Sequence, residues 1–416
     1  MSNPTRDPEL GTMTSPASSP RPLRVTDLPT EILHQVFSHF ADARMGRPGR
    51  VDWFWNEPYP DLEAKRAAIY SARLACRRLH DIASPLLLPT VRVKLEQASL
   101  DRLDEISRIP HVAAGVRGFE VILAYRPEEF AGDFGRFIEH REGDLIHGDK
   151  FKRLNEEEWT KGYGVYGTLL YEPYLEYRRR HREQKDLITT GAFVDAVTAA
   201  ASRMPLFGSI LFDDSDIYAG HLSVRERDSL FLPLLMTAAD GWAELDDRRA
   251  AVPPARILAD LPVALHRAGV PLRELGVQCF SSTATVEDDP LVQDLDALRE
   301  ACAQLEEVTF WPFGRWVEWT DEGARQLNAY LGALLSGHSL ELVHIYTSGF
   351  QSRQGFGKMP VGAALARIDG SRVKGVTVEG ASFTSEEMAR LREGLGERVD
   401  AVLTLWGVEV VGEGGV

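Results

Sequence analysis

Gly337-His338-Ser339-Leu340-Glu341 is the stretch where this 416-residue chain comes nearest to a catalytic spacing. It opens like a nucleophile elbow, in which a sharp turn after a strand lifts a serine hydroxyl clear of the backbone for acyl transfer. Glu341 stands where that turn needs its closing glycine, and Leu340 already belongs to a strand-like run, whereas an elbow serine follows its strand. His34 and His39 are five residues apart on one helical pattern and face different sides, so they make no metal pair. Gly162-Tyr163-Gly164-Val165-Tyr166-Gly167 follows a charged segment instead of an apolar strand, which a dinucleotide fingerprint requires. Cys76, Cys279 and Cys302 form no CxxC pair and read as small buried residues of a reducing compartment. The expectation is a chain without enzymatic activity, cofactor or metal, with a degenerate hydrolase as the weakest alternative.

The residues better suited to binding are aromatic. Phe212-Asp213-Asp214, Phe280, the run Trp311 to Trp319, Tyr346 and Phe350 each follow a strand-like segment, and in a parallel array all emerge at one end. Aromatic rings with an arginine, on loops held by a rigid scaffold, are the usual composition of a recognition hot spot. Trp311, Phe313, Arg315, Trp316 and Trp319, with Phe280, Tyr346 and Phe350, are therefore the candidate contacts for a client protein. The alternative is that some of these rings bury between neighbouring loops.

The elements that carry them recur. Leu272-x-x-Leu275-x-Val277, Leu305-x-x-Val308-x-Phe310, Leu340-x-x-Val343-x-Ile345 and Val373-x-x-Val376-x-Val378 begin 33, 35 and 33 residues apart. Weaker copies start at Val116, Phe207 and Val399. Helical patterns lie between them: Asp289-Pro290 ahead of Leu291, Leu295, Leu298 and Cys302; Leu327, Tyr330, Leu331 and Leu334; and the capping box Thr384-x-x-Glu387 ahead of Met388, Leu391 and Leu395. Strands and helices that alternate in this way stack in parallel. The array resembles an irregular leucine-rich repeat, without the usual Asn or Cys, and implies an α/β solenoid over 94–416; a non-solenoid α/β sheet is the alternative. A charged, tyrosine-rich stretch, about 141–185, breaks the pattern either as a binding insertion or as a connector whose tyrosines pack on the first repeats.

At the N-terminal side, Asp27 can cap a helix, Pro29 suits its first turn, and Ile32, Leu33, Val36, Phe37 and Phe40 share one face. A second stripe, Ile69, Ala72, Cys76, Leu79 and Ile82, is stopped by Pro85. The motif Leu28-Pro29-Thr30-Glu31-Ile32-Leu33 followed by Arg73 to Ala83 resembles an F-box, in the form common among fungal members of that family. The resemblance implies a small all-helical module, residues 24–93 with a long insert at 41–68, that docks on a Skp-family adaptor and through it on a cullin, in an SCF-type ubiquitin ligase. Carried over from the motif, the adaptor-facing residues are Leu28, Pro29, Ile32, Leu33, Val36, Phe37, Leu74 and Leu79, some of which must instead pack inside the module. A protein-binding scaffold that assembles no ligase is the runner-up.

Composition sets the outer limits. A formal net charge of −15 repels a phosphate backbone, so nucleic acid is not an expected partner. Residues 1–23, with five prolines among Ser and Thr, read as a disordered tail without the apolar block of a signal peptide. No apolar run is long enough to cross a bilayer, so no membrane is expected and the predicted location is cytoplasmic, nuclear or both.

Overall fold

The structure, a computed structural model, describes residues 24–39, 60–147, 164–214, 237–242, 245, 252–280, 294–312, 321–347 and 358–411. The expected tail and most of the 41–68 insert lie outside these residues. The first helical unit holds α1 (Thr30–Ser38), α2 (Pro60–Ala75) and α3 (Arg77–Ala83). Pro29, with extended ψ, occupies the cap position of α1 and not its first turn. Asp27 ends a short 3-10 turn, Val25–Asp27, where its carboxylate accepts from the Arg24 N–H at 3.0 Å; it does not cap α1. Leu33, Phe37, Ile69, Leu79, Ile82 and Ala83 close a small apolar core between the three helices.

The chain then enters β1 (Thr90–Lys94), followed by α4 (Gln97–Ser107), α5 (Pro110–Ala113) and β2 (Gly118–Ile122). Among the described residues, four helices lie between β2 and β3 (Ser209–Asp213): α6 (Glu128–Gly132), α7 (Phe134–His147), α8 (Gly164–Thr189) and α9 (Ala192–Ala201). Next come α10 (Ile257–Arg267), β4 (Glu274–Val277), α11 (Leu295–Cys302), β5 (Glu307–Phe310), α12 (Asp321–Leu334) and β6 (Leu342–Tyr346). The last part runs β7 (Met359–Pro360), α13 (Gly362–Leu365), β8 (Gly375–Glu379), β9 (Ala381–Thr384), α14 (Ser385–Leu395), α15 (Val399–Val402), β10 (Leu403–Trp406) and β11 (Glu409–Val411).

Eight of these strands form one sheet in the order β1-β2-β3-β4-β5-β6-β8-β10, parallel at every step. Successive strand residues point to opposite faces, and the register aligns Val91, Phe119, Ile210, Leu275, Val308, Val343 and Val376 in one row. Val93, Val121, Phe212, Val277, Phe310, Ile345 and Val378 form the next row on the same face, and all of these side chains are buried. At about 1.5–3 kcal/mol for each fully buried aliphatic or aromatic side chain, these rows dominate the stability of the sheet. Against them lies a run of helices in which α4 packs on α9, α9 on α10, α10 on α11, α11 on α12, α12 on α13 and α13 on α14. The capping box read from the sequence starts α14: the Glu387 N–H donates to Thr384 Oγ1 at 3.2 Å, and the Thr384 N–H to Glu387 Oε2 at 2.8 Å. Asp289-Pro290 lies outside the described residues, and the described start of α11 is capped by Asp294, which accepts from the Ala297 N–H at 2.9 Å.

The expected all-helical module followed by a leucine-rich-repeat solenoid is overturned. The protein is mixed α/β, organised on one parallel eight-stranded sheet, and β1, most of which falls within the expected 24–93 module, is the edge strand of that sheet. The segments between strands are also unequal. The described part of the β2 to β3 segment holds four helices, and the β6 to β8 segment detours through β7 into a second sheet ordered β11-β9-β7. A solenoid needs near-identical stacked units; the sequence motif specifies only a buried strand with a crossover, which any parallel α/β sheet uses. None of the described helices is long and apolar enough to cross a membrane.

Candidate protein-interaction sites

The eight adaptor candidates divide by burial. Leu33, Phe37 and Leu79 are sealed in the small core, and Leu28 packs partly against it. Pro29 is exposed, and Ile32, Val36 and Leu74 present 40%, 41% and 88% of their surface to solvent. Val25 and Tyr70 are exposed as well. Arg78 ties the two halves of the motif together: its guanidinium donates to the carbonyls of Thr26 and Leu28, each at 2.8 Å, and to Thr30 Oγ1 at 2.9 Å. No spacing rule in the sequence points to this role of Arg78, because the carbonyls it reaches lie about fifty residues away in the chain.

Of the client candidates, Phe313, Arg315, Trp316, Trp319 and Phe350 lie outside the described residues. Phe280 is buried, with its ring 5.7 Å from that of Phe310, edge to face, so it is a core residue. Trp311 and Tyr346 follow or end β5 and β6, are half-buried, and stand 5.6 Å apart between ring centroids. They belong to the sheet face opposite the apolar rows. The backbone bonds Gln278 N–H to Phe212 O and Trp311 N–H to Val277 O extend the register, giving the row Lys94, Ile122, Asp213, Gln278, Trp311, Tyr346, Glu379 and Trp406. Its β2 to β4 part is buried; its β5 to β10 part is half-buried or exposed, ending in Trp406 at 63%.

A buried polar cluster, not foreseen from the sequence, fixes α7 and α8 to the carboxyl ends of β2 and β3. Asp240 accepts from His140 Nε2 at 3.0 Å and pairs with Arg141 at 3.5 Å, and Arg141 also donates to the Ala238 carbonyl at 2.6 Å. Arg126 donates to the Thr237 carbonyl, while Gln184 bonds both the Arg126 N–H and the Ala124 carbonyl. His181 lies between the Arg126 carbonyl and Glu128, whose carboxyl is held below the usual range first by its hydrogen bond from Lys185 and then by that from His181. Trp242 donates its backbone N–H to Asp214 at 2.6 Å and its indole N–H to the Leu123 carbonyl at 2.9 Å. Beside this cluster, Tyr174 and Tyr177 bury with Phe130 and Phe137 in a second small core, so the described part of the 141–185 stretch is packed helix.

The three cysteines differ in how far their thiols are available for chemistry. Burial raises the Cys302 thiol to about 12, and burial together with Asp214 and Asp213 raises Cys279 well above its ordinary value, so neither supplies a thiolate near neutral pH. Cys76 is only half-buried. In the native protein a single thiol, that of Cys76, is therefore expected to react rapidly with a disulfide reagent at pH 8, with the other two appearing on denaturation; fast reaction of all three would contradict the buried placements. Ser339 sits in the turn ahead of β6, at the amino end of the strand. Among the described residues no cluster of His, Cys, Asp or Glu is arranged to hold a metal ion. The main sheet runs in chain order without reversal, so it lacks the switch-point crevice where open α/β sheets usually bind ligands. A cleft of about 350 Å³ between α11, α12 and α13 carries Arg299, Arg325 and Arg367 over Leu295 and three alanines, and its described lining holds no carboxylate or histidine. No family model matches this chain, and no curated protein matches it.

Proposed function

We propose that this chain is a non-catalytic recruiter: its N-terminal helices dock on a Skp-family adaptor, which links it to a cullin, and the sheet presents a client protein for ubiquitin transfer. The work is done by proximity, since holding a client beside a charged enzyme raises the effective concentration of its lysines without any catalytic group in the recruiter. Such a protein works in the cytoplasm or nucleus.

The observation that carries this reading is the division of the F-box-like residues. Leu33, Phe37 and Leu79 hold the small helical core together, while Ile32, Val36 and Leu74 are left in solvent. A three-helix unit of this size has no surplus apolar surface to leave uncovered, so exposed aliphatic residues at motif positions favour a docking role over a packing one.

The test is co-purification of the full chain with a Skp-family adaptor and cullin, comparing the native protein with Ile32→Glu/Val36→Glu. Both positions are exposed, so the variant should fold; burying two charges in an interface should weaken adaptor binding by about a hundredfold or more. Adaptor retained without cullin would replace the ligase reading with an adaptor-bound scaffold. Failure of the native chain to bind adaptor would remove it.

A further inference from the structure

We propose that the face of the main sheet over β6, β8 and β10, which is half-buried at Tyr346 and Glu379 and reaches solvent at Trp406, binds a cationic segment of a protein, with a lysine or arginine side chain received between Tyr346 and Trp406 against the carboxylate of Glu379. This deepens the client-presenting half of the reading above and rests on it for its biological meaning.

Tyr346, Glu379 and Trp406 are paired directly across β6, β8 and β10, so their side chains rise from one row on the face away from the helices. Neighbouring strands lie about 4.8 Å apart, which separates the Tyr346 and Trp406 backbones by about 10 Å with Glu379 between them. Trp311 continues the row on β5, next to the Tyr346 ring. The row beside it is Thr309, His344, Thr377 and Thr404, and the His344 ring stacks parallel to that of Tyr346 with 6.1 Å between centroids, which sets the Tyr346 ring on this face. A carboxylate flanked by aromatic rings attracts a cation twice over, through its charge and through the electron-rich ring faces.

Charge on the rest of the face points to the same occupant. Glu274 and Glu307 also rise from this side of β4 and β5, each with an interaction of its own, so the carboxylate on which the assignment rests is that of Glu379. Among the described strand residues the basic ones on this face, Arg92 and Lys94, stand on β1 at the far edge, and Arg92 is already paired with Glu120 at 3.5 Å. Lys358 Nζ lies beside Gly407, past the end of β10, and offsets part of the field there. With the chain at −15 overall, a nucleic acid or an anionic lipid surface is repelled from this patch, whereas a basic segment is drawn to it.

The experiment uses the purified full chain without adaptor, so that failure of adaptor docking and failure of this proposal are read separately. The probes are dodecapeptide libraries, random except for a fixed central Lys, Arg, Leu or Glu. The native protein should retain the Lys and Arg libraries above the Leu library and exclude the Glu library. Glu379→Gln, which keeps the shape of the side chain and leaves Lys358 in place, and Trp406→Ala, at an exposed position, should each reduce that retention by about three- to fivefold with an unchanged melting temperature. Equal retention of the four libraries, no retention of the Lys and Arg libraries, or undiminished retention by both variants would overturn the assignment.

Discussion

Asp240→Ala is expected to lower the unfolding free energy by about 3–5 kcal/mol, the range for removing one partner of a buried ion pair. Asp240 is 3% exposed, and its carboxylate takes hydrogen bonds from His140 and pairs with Arg141, which is 2% exposed. Without it the Arg141 charge stays in a low-dielectric site beside the Tyr177 ring, whose centroid is 5.4 Å away, and cannot shed its proton. The backbone of Asp240 exchanges two hydrogen bonds with Tyr125, at 3.1 and 2.9 Å, so distortion would pass to the end of β2. Asp240→Asn keeps an acceptor and the shape, and should cost less than the alanine variant. Glu306→Ala, which breaks a solvent-exposed pair with Arg273, should change stability by less than about 1 kcal/mol. Urea titrations of the three variants check the order; an Asp240→Ala loss no larger than that of Glu306→Ala would show that the cluster is solvated and not a structural tie.

The same cluster marks where the sequence stops being legible. Its members are separated by up to about a hundred residues, His140 from Asp240 and Arg126 from Thr237, and no spacing rule links such positions. The strands were legible for the opposite reason. In Leu275-x-Val277 or Val343-x-Ile345 the alternation lies within three residues, and the flanking helical stripes confirm the crossover. That local pattern could not reveal strand equality or sheet number. It therefore supported a repeat solenoid, where the chain builds one parallel sheet with unequal connections and diverts β7, β9 and β11 into a second. The site was legible in part. Trp311 and Tyr346 do share a row, but Glu379 and Trp406 enter it only through the pairing of β8 with β6 and β10. Phe280, chosen for its ring, follows an inward position of β4 and lies in the core.

Gly115→Ala should produce the other large loss, about 3 kcal/mol or more, because the added methyl has nowhere to go. It would stand 1.6 Å from the Pro85 carbonyl oxygen, 2.3 Å from its carbon and 2.6 Å from the Pro85 Cα, all backbone atoms that no rotamer change can move. Pro85 belongs to the 3-10 turn that ends the N-terminal helices, and Gly115 follows α5, which packs on that turn. The contact is therefore the seam between the helical unit and the edge of the sheet. Two residues on, the Arg117 N–H donates to the Pro89 carbonyl at 2.8 Å, so a forced separation at Gly115 would also strain the first rung between β1 and β2. Gly132→Ala is the matched control: no atom lies within 4 Å of the added methyl, and its stability should be unchanged. Hydrogen exchange locates the damage, with early loss of protection in Val91 to Lys94 and in α3 for the Gly115 variant, and little change in β5 and β6. If both glycine variants unfold at the same denaturant concentration, the seam is slack enough to open, and the helical unit would have to be treated as loosely tethered to the sheet. If only Gly115→Ala is damaged, the N-terminal helices are fixed to the sheet, and under the proposed function an adaptor bound at Ile32 and Val36 would hold the sheet in a set orientation, which recruitment by proximity requires.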